Sequence, residues 1–521
     1  MSKKRNRKNS YGIRPSPYAQ RLLRQTERPY WERLSQVFAI ALLAVFPLMI
    51  GESGYANITA DKFGFFKNLT LFYLAGAALL WLLCLKDKSL YKARQQKCPQ
   101  KLSIPQIALL LHVLWGVICA LASDQDQLWI GFRRNEGVFS MLLYAAVFLA
   151  LSLWGEYSDY LLPALSVMAI TQAVLSLSQL WGGGLLYPQG YNFYDLRFVG
   201  TLGNIDFVSG FAALMIPALV CGFILLETRF RYAMLTGAAL LLAVQIYIDV
   251  DSGKVGLLVS LLLSLPFLCS ERKRMIRTLY AFAVLLAAAG IFRYIAPSAT
   301  GVSSSGAPLF LLAALLLAAA GFLLSKKEGA FPLSPRTILI ALAALELAAA
   351  AAALVYLFQY SGSNPLLRDA HEFLHGRLDD TAGSGRGLIW KVTVSFMNDN
   401  PIFGCGPGGF ARALVPYYNY EELGQWIDAA HNDFLHIGAC TGYVGLFFYV
   451  VFVVSLAVRA LKNVERCPLL LIFAGAVAGY LAHSFFSFSV PIVSPLFWGM
   501  AGLLEKLIRQ IPPDEATPPA Q

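Results

Sequence analysis

The chain has 521 residues, of which 57% are hydrophobic and 14% are charged, and its mean hydropathy is +0.57. Soluble globular proteins carry about 25% charged residues, so this composition excludes an ordinary soluble domain. Apolar windows of about 20 residues recur from end to end, and each is long enough to cross a hydrocarbon core as a helix. The predicted fold class is therefore all-α, a polytopic integral membrane protein with about 14 transmembrane helices.

The net charge is +11, and the chain opens on a basic segment, MSKKRNRK, within residues 1–34. No small-residue cleavage site follows the first apolar run, so this segment is not predicted to be a removable signal peptide. Lys and Arg beside a membrane helix favour the cytoplasmic side and anionic lipids. The aromatic and glycine signatures of an RNA-binding protein are missing. We expect a cytoplasmic tail that contacts membrane lipids, and no nucleic acid partner.

The predicted spans follow one another in chain order, with short loops between most of them. They lie near residues 35–50, 68–85, 104–122, 137–154, 160–181, 206–226, 233–248, 255–269, 278–295, 307–324, 337–359, 435–458, 468–487 and 491–505. Residues 35–359 hold helices 1–11, residues 431–508 hold helices 12–14, and residues 509–521 form a cytoplasmic tail. If both termini are cytoplasmic, most Lys and Arg residues fall on the inner side, as the positive-inside rule requires.

Residues 360–430 form the only long hydrophilic stretch between predicted spans, and this topology places them outside the membrane. The stretch contains a predicted helix over residues 384–398, which the Asn400-Pro401 pair ends. A glycine-rich turn over residues 404–409 follows. Long ordered loops on a rigid scaffold tend to carry function. We therefore expect a large extracytoplasmic loop with catalytic elements.

The motif AHNDFL, residues 430–435, stands where this loop enters the twelfth predicted span. A helix that begins there presents free N–H groups and the positive end of its dipole, which favours an anion such as phosphate near His431. The alternative is structural, with Asn432 or Asp433 as an N-cap and His431 as an interfacial residue. His436 falls on a different face of the helix, so no zinc site is predicted.

Several cations are predicted on the outer side, against the usual distribution of charge. A set of cations at the mouths of helices can neutralise a lipid phosphate or diphosphate. The alternative is contact with anionic headgroups, or pairing with surface carboxylates. The set is Arg133, Arg134, Arg197, Lys254 and Arg386.

Some predicted spans contain ionisable residues or closely spaced glycines. Ionisable groups in the membrane are functional candidates by default, but His112, Glu346 and His483 have no evident chain of partners. We favour interhelical hydrogen bonds for them. Gly438 and Gly442 form a small-xxx-small pattern, which predicts close packing of two helices.

The order of these motifs resembles the O-antigen ligase and polymerase family. The matching segments are residues 198–204 (FVGTLGN), 384–390 (SGRGLIW), 400–410 (NPIFGCGPGGF), 430–435 (AHNDFL) and 483–488 (HSFFSF). The resemblance covers residues 130–505 and is most specific over residues 384–445. Members often carry a Ser-Arg pair at the outer start of a middle span, where this chain has Ser252-Gly253-Lys254.

The resemblance implies a membrane glycosyltransferase in the cytoplasmic membrane of a bacterium. Such an enzyme moves a glycan from undecaprenyl diphosphate to a hydroxyl of an acceptor glycan or glycolipid, on the extracytoplasmic face, during polysaccharide biosynthesis. Because the donor is already activated, neither a cofactor nor a metal is implied. A polymerase of the same family remains an alternative, and a flippase or transporter for lipid-linked glycans is the alternative from another class.

The resemblance also assigns roles to the outer polar residues. His431 would be the general base for the acceptor hydroxyl, or would hold the diphosphate. Arg386 and Lys254 would stabilise charge on the leaving diphosphate. Asn432 would orient His431. Further substrate-binding roles are predicted for Arg133, Arg134, Arg197 and Asn204.

Overall fold

The computed structural model describes residues 30–86, 101–124, 128–132, 134–155, 160–179, 199–296, 301–326, 334–377, 379–419 and 426–512. Every regular element in these ranges is helical. The α-helices are α1 Tyr30–Ile40, α2 Ile58–Lys86, α3 Ile104–Leu121, α4 Val138–Trp154, α5 Leu161–Ser178, α6 Ile205–Leu225, α7 Arg231–Ile248, α8 Asp251–Leu268, α9 Arg272–Tyr294, α10 Ala307–Lys326, α11 Pro335–Phe358, α12 Pro365–Leu374, α13 Ala382–Asp399, α14 Phe410–Ala413, α15 Asp433–Asn463, α16 Leu470–Ser484 and α17 Ser494–Gln510.

The all-α prediction is confirmed for the described ranges. A helix lies at each predicted span, and ten helices within the described residues are long and apolar enough to cross a membrane. Two shorter apolar helices are α4 and α16. The predicted total of transmembrane helices and the side on which each loop lies remain predictions. Nearly all of the basic N-terminal tail and most of the C-terminal tail lie outside the described residues.

The first predicted span is not one regular helix. After α1 the chain makes a π-helical turn, Ala41–Val45, and a 3-10 turn, Phe46–Leu48. Lys62 of α2 is fully buried and donates to the carbonyls of Phe46 and Pro47, at 3.2 and 2.7 Å. The Thr201 hydroxyl also donates to the carbonyl of Pro47, at 2.7 Å. Carbonyls freed by the broken helix are thus satisfied, as a membrane interior requires.

Helix α6 is the centre of the bundle, because every residue from Phe207 to Ile224 is buried. Small residues allow α6, α8 and α16 to approach one another closely. A side chain at Gly479 of α16 would lie 2.2 Å from the carbonyl oxygen of Ala213 in α6. By contrast, only 17% and 6% of the most apolar windows of α10 and α11 are buried, so both helices face outward.

The hydrophilic stretch, residues 360–430, contains helices α12, α13 and α14. The helix predicted over residues 384–398 is confirmed as α13, whose C-cap is Asn400. Chain segments from several helix ends meet beside it. The backbone N–H of Phe132 donates to the carbonyl of Gly408, and that of Ser489 donates to the Asp433 carboxylate, at 3.4 and 2.9 Å. We call the end of the bundle where Phe132, Gly408, Asp433 and Ser489 lie the site end.

The glycine-rich segment after α13 inserts into α15 and interrupts it. The N–H groups of Cys405 and Gly406 donate to the carbonyls of Ala439 and Cys440, at 3.0 and 2.9 Å. Gly442 lies at the break, with φ 65° and ψ 179°. The helix-packing interpretation of Gly442 is therefore wrong, because its missing side chain makes room for a loop backbone. A periodic spacing of small residues does not distinguish these two causes.

Candidate functional site

His431 lies two residues before the start of α15, and its backbone is left-handed, with a φ of 48°. The side chain of Asn432 accepts a hydrogen bond from the N–H of Leu435 at 3.0 Å, so Asn432 is the N-cap of α15. The structural alternative for Asn432 is thus confirmed. The His431 ring meets the Phe488 ring edge to face, with centroids 4.9 Å apart. The cap and this ring fix the imidazole at the helix entrance.

Arg386 lies in the first turns of α13, where glycines shape the backbone. Gly383 and Gly385 have φ values of 58° and 87°, a region that side chains disfavour. The guanidinium donates to the carbonyls of Phe486 and Gly383, at 3.1 and 2.7 Å. Within the part of the chain that the structure describes, no carboxylate pairs with Arg386. Its positive charge is held in place without being neutralised.

Arg134 is held differently, by a carboxylate and an aromatic ring. Its Nε and Nη2 donate to the two oxygens of Asp428, at 3.0 and 2.7 Å. Such a bidentate pair fixes the plane of the guanidinium as well as its position. The guanidinium carbon lies 3.9 Å from the centroid of the Phe488 ring, in a cation–π contact. Phe488 therefore joins Arg134 to His431.

Burial and the two arginines keep His431 neutral. Burial, then the charge of Arg386, then that of Arg134 lower the pKa of His431 to about 4, and Asp428 opposes them. The imidazole is therefore neutral near pH 7. A bound anion would offset the unpaired charge of Arg386, so this centre is electrostatically complementary to a phosphate or diphosphate.

A cavity of about 100 Å³ lies beside this centre, and its largely apolar lining also includes Glu136, Asp433 and His436. Glu136 accepts a hydrogen bond of 2.7 Å from the Tyr144 hydroxyl. Burial raises the pKa of Glu136 to about 8, so the carboxyl carries a proton near pH 7. Among the described residues, no group of His, Cys, Asp and Glu side chains is arranged to hold a metal ion.

The other predicted site residues have local partners of their own or lie outside the described ranges. Lys254 pairs with Asp249 and Asp251, at 2.7 and 2.6 Å. The side chain of Asn204 accepts from the N–H of Asp206 at 2.7 Å and caps α6. Arg133 and Arg197 lie outside the described residues. The substrate-binding roles of these residues and of Asn432 stay predictions.

The three ionisable residues inside predicted spans, His112, Glu346 and His483, differ in their hydrogen bonds. His112 of α3 contacts the carbonyl of Gly445 in α15 at 2.9 Å, so the predicted interhelical hydrogen bond is confirmed there. Among the described residues, neither His483 Nδ1 nor Glu346 Oε1 has a hydrogen-bond partner.

The sequence did not single out Asp428, Phe488 or the carbonyl of Phe486, although they hold the site together. Asp428 is a single acid in a loop, and only its distance from Arg134 in space reveals the pair. Phe488 belongs to the quoted HSFFSF motif, which gave no sign of its two contacts.

Comparison with protein families adds an independent finding. Residues 299–450 match the family described as O-antigen ligase, which confirms the resemblance stated from the motifs. The matched segment is less than half of the chain, and it contains Arg386, Asp428 and His431. It supports, in general terms, a membrane glycosyltransferase of the O-antigen ligase or polymerase type. Neither the curated proteins nor the solved structures gave a match.

Proposed function

From the O-antigen ligase match over residues 299–450, we propose that this protein transfers a glycan from undecaprenyl diphosphate to an acceptor hydroxyl. The reaction takes place at the site end, on the extracytoplasmic face. The acceptor is a glycan or glycolipid, and the product enters a cell-surface polysaccharide. The observation that carries the proposal is the unpaired charge of Arg386 beside a neutral His431.

The chemistry requires little covalent help from the protein. The acceptor oxygen bonds to the anomeric carbon of the donor sugar, and the bond from that carbon to the diphosphate oxygen breaks. Negative charge then develops on the leaving diphosphate. Fixed donors and cations in a site with little water stabilise such charge strongly, because they need no reorganisation during the reaction. Arg386 is held by two carbonyls and suits this role.

The neighbouring groups supply position and further charge. Arg134 is held rigidly by Asp428 and Phe488, so it binds a second face of the diphosphate. His431 is neutral near pH 7, and it takes the acceptor proton or donates its N–H to a phosphate oxygen. Lys254 contributes a more distant charge near the mouth of α8. No cofactor or metal takes part.

The flippase alternative receives less support from the arrangement of charge. Transporters typically have binding sites at the midplane, built from broken helices and paired charges. Here Arg134, Arg386 and His431 gather at one end of the bundle. Ligase and polymerase activities use the same donor chemistry, and the acceptor alone separates them.

The test is a transfer assay with purified protein, an undecaprenyl-diphosphate-linked glycan and candidate acceptors. His431→Ala should reduce turnover by about 100-fold or more, as expected for loss of a group that acts on the transition state. The yield of folded protein should not change. His371→Ala is a matched control, since His371 lies on α12 and its ring contacts the Leu357 carbonyl at 3.0 Å.

Full transfer by folded His431→Ala would remove the catalytic assignment. If the wild type gives no transfer but moves lipid-linked glycan across vesicle membranes, the flippase alternative is correct. Extension of the same glycan chain, with no transfer to a different acceptor, would identify a polymerase.

A further inference from the structure

Two cysteines meet where the glycine-rich segment inserts into α15. Cys405 lies in the turn that follows α13, and Cys440 lies in α15 itself. Both side chains are buried in one cluster of packed apolar residues, and both are free thiols in this structure. A buried cysteine often packs as a small apolar residue, so burial alone assigns them no role. Their contacts with each other distinguish this pair from an ordinary buried cysteine.

Backbone hydrogen bonds hold the two residues side by side. The N–H groups of Cys405 and Gly406 donate to the carbonyls of Ala439 and Cys440, at 3.0 and 2.9 Å. A side chain added at Gly404 would lie 2.8 Å from the carbonyl carbon of Cys440, so the two backbones are in contact. The thiols of Cys405 and Cys440 are hydrogen-bonded to each other. A disulfide requires α-carbons about 4.4–6.8 Å apart, a separation that directly hydrogen-bonded segments provide.

A third cysteine, Cys119 of α3, lies close to the pair but is held differently. Its thiol donates to the carbonyl of Thr441 at 3.8 Å. Ser123, just after α3, donates through its hydroxyl to the carbonyl of Cys405 at 2.8 Å, which places the pair beside the end of α3. Cys119 is therefore the competing partner for either thiol, and it supplies the matched control for a test of the pair.

We propose that Cys405 and Cys440 form a disulfide bond when the protein is exposed to the extracytoplasmic compartment. This inference rests on the extracytoplasmic location of the site end in the proposed function, and on no step of glycan transfer. Disulfides form and persist on that side of a bacterial membrane, where thiols meet oxidants. The two thiols lose two protons and two electrons as the Sγ–Sγ bond forms. The electrons reduce one disulfide of the oxidant, a protein or small-molecule disulfide, to two thiols.

The bond reinforces α15 where its helix is interrupted. Gly442 lies at the interruption, two residues after Cys440. The loop that the bond closes runs from Cys405 to Cys440 and contains both Asp428 and His431. A disulfide stabilises a fold chiefly by restricting the unfolded chain. We therefore expect oxidation to raise thermal stability and to leave the transfer chemistry itself unchanged.

The first measurement identifies the bond in full-length protein purified from the membrane without a reducing agent. Free thiols are alkylated during denaturation, because the folded protein buries them. The cysteine peptides are then identified by mass spectrometry. The expected product joins the peptides of Cys405 and Cys440, lacks two hydrogen atoms relative to the two thiols, and separates on treatment with dithiothreitol.

The second measurement is thermal unfolding. Reduction of the wild type should lower its melting temperature by about 3 °C or more, since the bond that closes the loop is lost. Cys405→Ala and Cys440→Ala should each lose the response to dithiothreitol. In the double variant the second substitution should cost much less stability than the first, because the bond is already absent. Cys119→Ala is the matched control, and it should keep both the joined peptides and the response to dithiothreitol.

Alkylation of both Cys405 and Cys440 in protein taken directly from the membrane would overturn the inference. A bond that joins either of them to Cys119 would overturn it as well. Glycan transfer by a protein with these results would leave the proposed function intact. Conversely, a Cys405–Cys440 bond in a wild type that transfers no glycan would contradict the proposed function and support this inference.

Discussion

Arg386 and the cations at the opposite end of the helix bundle are held in different ways. At the site end, Arg386 is bound to two backbone carbonyls and has no described carboxylate partner. At the opposite end, Glu227 receives Lys273 at 2.5 Å and Arg277 at 2.6 Å, and Arg459 pairs with the buried Glu505 at 2.9 Å. The first arrangement leaves a charge available to a ligand, whereas the second uses charge to join helix ends.

This difference has a physical cause. Removing a charge from water costs several kcal/mol, and an ion pair with good hydrogen bonds offsets much of that cost. The pairs at the opposite end are complete, so they need no further partner. Carbonyl oxygens satisfy the N–H groups of Arg386 but leave its net charge. A protein that only had to hold its helices together would have little use for such a residue.

The prediction with the largest expected effect compares one substitution at each end of the bundle, by its effect on turnover and on melting temperature. Arg386→Ala should lower turnover by about 100-fold or more, because a charged contact to the leaving group is lost. Its melting temperature should fall little. Arg277→Ala should lower the melting temperature, since Glu227 loses one of its partners. Turnover per folded molecule should stay near that of wild type.

The measurements are glycan transfer and thermal unfolding in the same detergent. Arg386→Lys is a useful third variant, because it keeps the charge and loses the fork that reaches both carbonyls. If Arg386→Ala loses stability and retains transfer, the distinction between the two ends does not hold.

Much of the membrane architecture follows from the sequence because hydropathy is a local property. Spans such as α6 and α10 are long apolar runs, and no distant residue changes that. Arg386 and His431 could also be singled out, since a cation and a histidine at helix entrances are visible within one segment of the sequence. Asp428 could not be found, because its partner Arg134 is 294 positions away in the chain. Contacts between separate loops leave no periodic pattern.

The sequence correctly singles out Gly442 as a structurally important glycine, but it suggests the wrong reason for it. A small-xxx-small pattern predicts contact between helices, but here it records the break that admits residues 401–406. The N–H of Tyr443 donates to the carbonyl of Pro401 at 2.8 Å, which completes this junction. The junction anchors the loop that leads to His431, so it belongs to the site end although it contains no charge.

The second prediction tests this junction. An added side chain at Gly442 would lie 2.0 Å from the carbonyl oxygen of Ile402, in a backbone conformation that only glycine adopts readily. Gly442→Ala should therefore destabilise the fold by about 1–3 kcal/mol or more and reduce transfer. Gly438→Ala is the control, because its nearest neighbour is the flexible end of Met397. Equal melting temperatures for the two variants would argue against the junction as an anchor.

The smallest expected effect concerns Lys254, which is at the site end but is paired like the cations at the opposite end. Its side chain is 43% exposed, and it contacts both Asp249 and Asp251. Exposed pairs of this kind contribute about 0–1 kcal/mol to stability, so the fold should tolerate their loss. Lys254→Ala should lower transfer by less than about 10-fold, which corresponds to under about 1.4 kcal/mol. Lys254→Arg should behave like wild type, because it keeps the charge.

The check is the transfer assay at low and high salt, since screening weakens an exposed charge more than a buried one. A loss for Lys254→Ala as large as that for Arg386→Ala, with recovery in Lys254→Arg, would mean that Lys254 leaves its two aspartates and joins the diphosphate site when substrate binds.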